Sequence, residues 1–450
     1  MPKNKTSSKG VVTMDMVNPN AAGIDVGDTF HAVAVPEGAD EDRVRKFGTM
    51  TCDLQEIVLW LKKCNVDTVA MESTGVYWKN LFTVLVQSDF EVFLVNAHHV
   101  RNVSGRKNDE DDAVWIQRLH SCGLLRSSYL PEDEQESLRT LVRFRKTLTQ
   151  DSSRYILRMQ KALELMNIKI HTVLSNITGA SGMAIIEAII AGEREPRNFL
   201  RYVNKQVKAD DNTICKSLEG NWRSEHLFTL QECYSFFRFC KDHIASCDFQ
   251  IELKLKSFEA KQNEGVINED TEERKFIKKQ KSNVQTTISI REYLRKIHGV
   301  DVLAIYGISD ISGLTLLAET GTDMSKWESE KQFVSWLNLC PNNKITGGKV
   351  KSSRLIKKKN LAGQAFRDAA NTMHKSNHWL GDYFRRMKSK GGNKYAITAT
   401  ANKLATIYYK MVKNKVEFTP IDIGEYQEKY KQAKIAYLER KLNQLKKEVA

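Results

Sequence analysis

Four carboxylates in the first quarter of the chain stand where an acid needs a reason. Asp25 lies inside a short apolar run, GIDVG, and Glu72 sits near the end of another, VDTVAMEST. Both runs read as strands, and a carboxylate in a core strand is costly unless a cation or donor meets it. Asp109 and Asp112 are three residues apart in RKNDEDDAVWIQRL, at the start of a helix on which Ala113, Ile116 and Leu119 recur at helical spacing. That offset lets both acids face one side. Together the four could hold two divalent ions. Phosphodiester cleavage uses such a set, because two hard cations about 4 Å apart serve the nucleophile, the transition state and the leaving oxygen. Mg²⁺ suits a bare acid cluster, since it takes few carboxylates and fills its shell with water and phosphate oxygens. His31, His98 and His99 are not spaced as ligands. The competing structural reading makes Asp109 and Asp112 a capping pair, with Glu110 and Asp111 as solvated neighbours.

The elements that must position these acids alternate. Ile24 to Val26 and Phe30 to Val35 read as strands with Gly27-Asp28 turning between them, and EVFLVNA (91–97) as another. Tyr77 to Val86 and Asp111 to Leu119 read as helices. This alternation predicts an α/β domain over 21–135, after a flexible basic tail at 1–20. Beyond it the period turns helical. Leu148, Ser152, Tyr155, Met159, Ala162 and Met166 step by four and three, as do Leu230, Cys233, Phe237, Cys240, Ile244, Cys247 and Ile251. The second series is a heptad seam. It predicts a helical coiled-coil section over 136–286 whose arms pack on each other or on another protomer. Two amphipathic core helices are the alternative. Residues 259–285 are polar and alternately charged, as in a linker. A mainly α unit is expected over 287–415. A C-terminal helix within 416–450 carries Ile435, Leu438, Leu442, Leu445 and Val449 on one face.

The net charge of +14 favours a polyanionic partner through phosphate contacts. None of the eight cysteines forms a CxxC pair or has zinc-ligand spacing, so they read as reduced packing residues of a cytosolic protein. The first residues, MPKNKTSSKG, lack the apolar core of a secretory signal, and no apolar run reaches the ~18 residues that span a bilayer. The expectation is a cytoplasmic protein with no membrane partner.

Three stretches in order, GIDVGDTFHAVAV, MESTGVYW and KNDEDDAVWIQRL, resemble the N-terminal domain of the DEDD transposases of insertion sequence family 110. That domain is similar to the RuvC resolvase and RNase H folds. IYGISDISGLTLLAETGTDMSKWESEKQFVSWLNLCPNNKITGGK resembles the family's C-terminal transposase domain. The resemblance covers about 20–165 and 295–415, and the helical section between is longer than expected. It implies an RNase H/RuvC-like α/β domain, a coiled-coil section and a mainly α C-terminal domain. It implies a transposase that excises and inserts a mobile DNA element with two Mg²⁺ ions on Asp25, Glu72, Asp109 and Asp112. It also implies a covalent phosphoserine intermediate, dimers or tetramers in which acids and serine come from different protomers, DNA partners at element ends and target, a structured guide RNA, and a bacterial, nucleoid-associated location.

The family's serine falls in a segment shaped P-x-x-x-x-S-G. Here it is Pro341-Asn342-Asn343-Lys344-Ile345-Thr346-Gly347, so Thr346 occupies that position. Threonine keeps the hydroxyl but crowds it with a methyl. Ser352 and Ser353 are rival nucleophiles. A copy unable to complete strand transfer, bound to nucleic acid but idle, is a third reading, and a metal-only structure-specific nuclease of junction-resolvase type is a fourth. Lys344, Lys349, Lys351, Arg354, Lys357, Lys358 and Lys359 follow without an intervening acid, and Gly347-Gly348 permits close backbone approach to phosphate. Arg101, Arg106 and Lys107 precede the acidic pair. Arg385, Arg386, Lys388, Lys390 and Lys394 form a second basic patch. GISDISG (307–313) resembles a helix-hairpin-helix turn. Tyr77 and Trp78 are candidates for base stacking, with Trp78 favouring the core.

Overall fold

A computed structural model describes residues 16–73, 75–95, 110–263, 288–355 and 360–449, and the chain divides into two compact units, Met1–Leu130 and Pro131–Ala450. The first is built on a mixed five-stranded sheet. Its elements in order are β1 (Ala21–Val26), β2 (His31–Ala34), β3 (Val44–Phe47), α1 (Thr51–Lys63), β4 (Thr68–Glu72), α2 (Trp78–Gln87), β5 (Glu91–Val95) and α3 (Glu110–Ser121). The strand order is β3-β2-β1-β4-β5, with β2 antiparallel to β1 and to β3, and with β4 and β5 running parallel to β1.

Alternation within the strands divides the two faces. Ile24, Val26, Val33, Val69 and Met71 pack against Leu54, Ile57 and Leu61 of α1 and Leu81 and Leu85 of α2. The opposite face carries small residues. Ala32 and Ala34 meet Ala113 of α3, and Ala70 and Val95 meet Ile116 and Leu119. Asp40 ties the β2–β3 loop to α1: its carboxylate accepts from Arg45 at 2.7 Å, Trp60 Nε1 at 3.2 Å and Lys63 at 3.3 Å. The backbone N–H of Asp42, together with Trp60, Lys63 and Arg45, holds its pKa down at about 2.

Among its described residues, the second unit is helical apart from one ribbon. Two long helices, α4 (Asp133–Leu165) and α8 (Ser224–Asn263), pack along each other. Arg145 meets Asp248 and Tyr155 stacks on Phe236 at 5.0 Å, so the pair runs antiparallel. The periodic residues Leu148, Met159, Cys233, Phe237, Cys240 and Cys247 are buried between them. Burial pushes the three thiols up in pKa, which suits packing rather than reactivity. The far end is capped by α5 (Ile170–Val173), α6 (Ala180–Ile190), a 3₁₀ turn (Pro196–Tyr202) and α7 (Asp211–Ser217) around Met166, Ile185, Phe199 and Leu230.

The near end is part of the C-terminal core. That core holds α9 (Ile290–His298), α10 (Asp310–Thr320), α11 (Glu330–Trp336), the ribbon β6 (Lys344–Thr346) and β7 (Lys349–Ser352), α12 (Leu361–Asn371), α13 (Trp379–Asn414) and α14 (Ile423–Val449). Leu138 and Val142 of α4 and Ile251 and Leu255 of α8 share one cluster with Leu294, Leu317, Phe333, Phe366, Leu404 and Tyr408. Glu319 of α10, nearly buried, accepts from Arg139 at 3.1 Å and from Arg143 at 2.8 and 2.9 Å. Gln135 donates to the Ala318 carbonyl at 3.2 Å. Among the described residues no helix is long and apolar enough to cross a membrane.

Candidate active site

Register and the path of α3 bring three of the four acids to the same end of one sheet face. Gly23 of β1 pairs with Ala70 of β4 and Ile24 with Met71, so the next residues, Asp25 and Glu72, lie level on adjacent strands about 4.8 Å apart. Residues two apart share a face. Asp25 therefore lies on the Gly23 face and Glu72 on the Ala70 face, both of which α3 covers. Ala32, the antiparallel partner of Asp25, packs on Ala113, and Val95, the partner of Glu72, packs in the cluster of Ile116 and Leu119. Glu72 and Asp112 are buried and Asp25 half-buried.

The path of α3 completes the arrangement. Ser121 O accepts from the backbone N–H of Val17 and Asn18, and Gln117 Nε2 donates to Ala21 O at 3.1 Å. A Cβ on Gly23 would stand 2.4 Å from Ala113 O and 2.3 Å from Gln117 N. The helix thus runs antiparallel to β1 in backbone contact with it. Its first turn, with Asp112, comes to the end of the strand where Asp25 sits. His120 anchors the other end. Thr68 Oγ1 spends its proton on Glu91 O at 3.0 Å, so it accepts from His120 Nε2 at 2.9 Å. Burial holds the His120 pKa down at about 4, so the imidazole is neutral near pH 7.

Three carboxylates at strand ends and a helix start make an all-oxygen donor set, suited to a hard divalent cation. Among the described residues no group of three or more His, Cys, Asp or Glu is placed to hold a metal ion. Asp109, the fourth expected ligand, lies outside the described residues, as do Arg101, Arg106 and Lys107. Tyr77 is exposed beside α2, and Trp78 is half-buried and edge-on to Phe82 at 5.8 Å.

Thr346 stands on a different kind of support. It ends β6 and pairs with Lys349, while Ile345 pairs with Val350. Gly347 (φ +55°) and Gly348 (φ +72°) form the two-residue turn, the all-positive geometry that suits a hairpin. Asn342 N donates to Arg354 O at 3.1 Å and closes the base. Thr346, Lys349 and Lys351 are exposed, and Thr346 and Lys349 share a face as a cross-strand pair. Ser352 is half-buried with its Oγ accepting from Arg354 N at 3.4 Å, and Ser353 is exposed. Lys357, Lys358 and Lys359 lie outside the described residues.

The second basic patch loses a member. Arg386 donates to Asp382 at 3.1 Å and lies 3.8 Å above the Tyr430 ring, whereas Lys388, Lys390 and Lys394 are exposed around Gly392 (φ +79°), where α13 breaks. In GISDISG, Ser309 caps α10 by accepting from Ser312 N at 3.3 Å. Gly307 (φ +79°) is pressed on α12, with Ala369 O 2.7 Å from where a Cβ would be. Gly23, Gln117 and His120 carry no motif in the sequence, yet all three position the acid face. A glycine in a strand two residues before the acid is the signal that points to a close approach.

Comparison with known families assigns both halves. Residues 22–168 match a transposase family model, the DEDD transposase of IS110 type, and residues 301–385 match the transposase model of the IS116/IS110/IS902 family. No curated protein shows significant similarity to the chain. The first match takes in the α/β unit and α4, the second begins after α8, and together they span just over half of the sequence. With residues in its α/β unit and in its helical unit each matched to a model of this family, the chain belongs to the IS110 family of transposases.

Proposed function

We propose that this transposase cuts and joins DNA at Asp25, Glu72, Asp109 and Asp112, through a covalent link to Thr346. The observation that carries the reading is the register, which sets Asp25 and Glu72 level beneath the first turn of α3, where Asp112 sits. The strand order β3-β2-β1-β4-β5, with a helix on the acid face, supports an RNase H/RuvC-like identity for 21–135. The seams of α4 and α8 support a coiled-coil section within 136–286. The ribbon and its basic neighbours support a nucleophile and DNA-binding domain over 287–415, followed by a helix within 416–450.

The four acids would hold two Mg²⁺ ions, which when bound would polarise the scissile phosphate and stabilise the leaving oxygen. The chain's own part is the hydroxyl. Thr346 Oγ1 bonds to phosphorus, the bond from phosphorus to the leaving strand's oxygen breaks, the threonine proton passes to solvent, and the freed oxygen takes a proton. A second DNA end reverses the exchange and releases Thr346. Lys349 beside Thr346, with Lys344, Lys351 and Arg354, holds the phosphate backbone, as would Lys357, Lys358 and Lys359, and Arg101, Arg106 and Lys107, which precede the acidic pair in sequence. Gly347 and Gly348 leave the turn open for close approach. Acids of one protomer and the hydroxyl of another, in a dimer or tetramer, act on element ends and target selected with a structured RNA from the element.

The test is a protein–DNA adduct on a denaturing gel, formed with Mg²⁺, element ends and co-expressed RNA. Wild type forms it, while Thr346→Ala and Asp25→Ala do not. Threonine in the family's serine position favours one rival, a nuclease that uses metal-activated water. Hydrolytic cleavage that persists unchanged in Thr346→Ala would establish that rival. An adduct that survives in Thr346→Ala and is lost with Ser352→Ala or Ser353→Ala would move the nucleophile.

A further inference from the structure

Among the described residues, the C-terminal helix is attached to the body at its start. Tyr426 packs on Trp379 at 5.3 Å, and the Arg386 guanidinium lies over Tyr426 at 5.0 Å and over Tyr430 at 3.8 Å. Beyond Tyr430, every described side chain except Ala436 is exposed. Ile435, Leu438, Leu442 and Leu445 nevertheless repeat by three and four, and each remains 50–56% exposed. The same spacing on α4 and α8 is buried because those two helices cover each other. A helix standing in water is marginal in stability, so an apolar seam of coiled-coil period calls for a second helix of like period.

Charge beside the seam identifies the partner and its direction. With Ile435 and Leu442 at a positions and Leu438 and Leu445 at d, Lys434 and Lys441 fall at g, and Glu439 and Lys446 at e. A parallel pair of identical helices sets g of one against the following e of the other. It joins Lys434 to Glu439 but opposes Lys441 to Lys446 twice. In an antiparallel pair e faces e. If the crossing lies between Asn443 and Gln444, Leu442 of each copy packs on Leu445 of the other. Glu439 then meets Lys446 on both sides.

We infer that α14 is a homotypic docking helix, which joins two copies of this chain as an antiparallel coil centred between Leu442 and Leu445. The site is separate from the acids and from Thr346, so it stands or falls independently of the strand-transfer reading. A seam this short binds modestly, and the coil tethers copies at micromolar rather than nanomolar concentration.

Sedimentation velocity of the full chain over a concentration series tests it. Wild type should associate, and Leu438→Asp/Leu442→Asp should raise the dissociation constant by about tenfold or more, while the thermal transition of the body stays in place. Glu439→Lys alone should weaken association, Glu439→Lys/Lys446→Glu should restore it, and Glu439→Lys/Lys434→Glu should not. A wild-type chain that stays monomeric, or an assembly indifferent to the paired aspartates, overturns the proposal. Rescue by Lys434→Glu in place of Lys446→Glu overturns the antiparallel direction.

Discussion

The acid face and the ribbon carry the two halves of the proposed chemistry on opposite principles. Asp25, Glu72 and Asp112 are set by a five-stranded sheet on one side and a helix in backbone contact on the other. Thr346 is set by two short strands and a turn, with no core beneath it and with Ile345 and Val350 both exposed. A two-stranded ribbon is marginal by itself in water. In the proposed reaction the sheet would supply the charged site, and the ribbon a reactive group on a much lighter support. Even the glycines differ. Gly23 is required by what lies beside it, whereas Gly347 and Gly348 have open space and are required only by their positive φ.

This contrast can be broken in order of effect. Loss of the hydroxyl in Thr346→Ala should abolish the covalent adduct, and Asp25→Ala or Glu72→Ala should lower strand transfer by about a hundredfold to a thousandfold. Neither change should shift the far-UV circular dichroism spectrum. Thr346→Ser should raise the rate of adduct formation, and an unchanged rate would show that the methyl does not limit attack. Gly23→Val should cost about 2–3 kcal/mol in urea unfolding of the first unit, because the β1–α3 contact cannot yield without moving backbone. Strand transfer should fall with it.

Acid should weaken the sheet unit through His120. Its folded pKa is depressed to about 4 against the ordinary imidazole value of 6.5, so between those values the unfolded chain binds a proton that the folded chain does not. The contribution is present in full above pH 6.5, is lost on the way down to about pH 4, and changes no further below. The slope approaches 1.4 kcal/mol per pH unit within that window, and His120→Gln should flatten it in urea titrations. The smallest effect belongs to Gly348→Ala. It strains the turn by about 1 kcal/mol, leaves global unfolding unchanged, and lowers adduct yield. A global destabilisation there would mean that the ribbon has a core after all.

Much of the acid face is legible in the sequence, because an aspartate inside GIDVG and a glutamate closing TVAME violate the apolar run that surrounds them. The strands, their alternation and the helix at Asp112 follow from the same pattern. The edge strand β3 (VRKF) does not stand out, since an edge exposes charge and its alternation is weak. Nor does any periodicity show that Gly23 sits under α3. That contact depends on residues far apart in the chain. The seam on α14 is readable as spacing, but its exposure belongs to three-dimensional packing alone. The two seams at 148–166 and 230–251 are equally readable. Their mutual burial rests on an antiparallel return through α5, α6 and α7, which no local pattern encodes.

The hairpin of α4 and α8 has a mechanical consequence. Helix α4 is 33 residues long, which at 1.5 Å per residue makes a boom of about 50 Å. Its foot is clamped by Arg139 and Arg143 on Glu319, inside the same core as the helices that flank the ribbon. A rotation of about 5° at the foot would swing the far end by about 4 Å. Load taken at the tip is thus returned, at large mechanical advantage, to the core from which the ribbon projects.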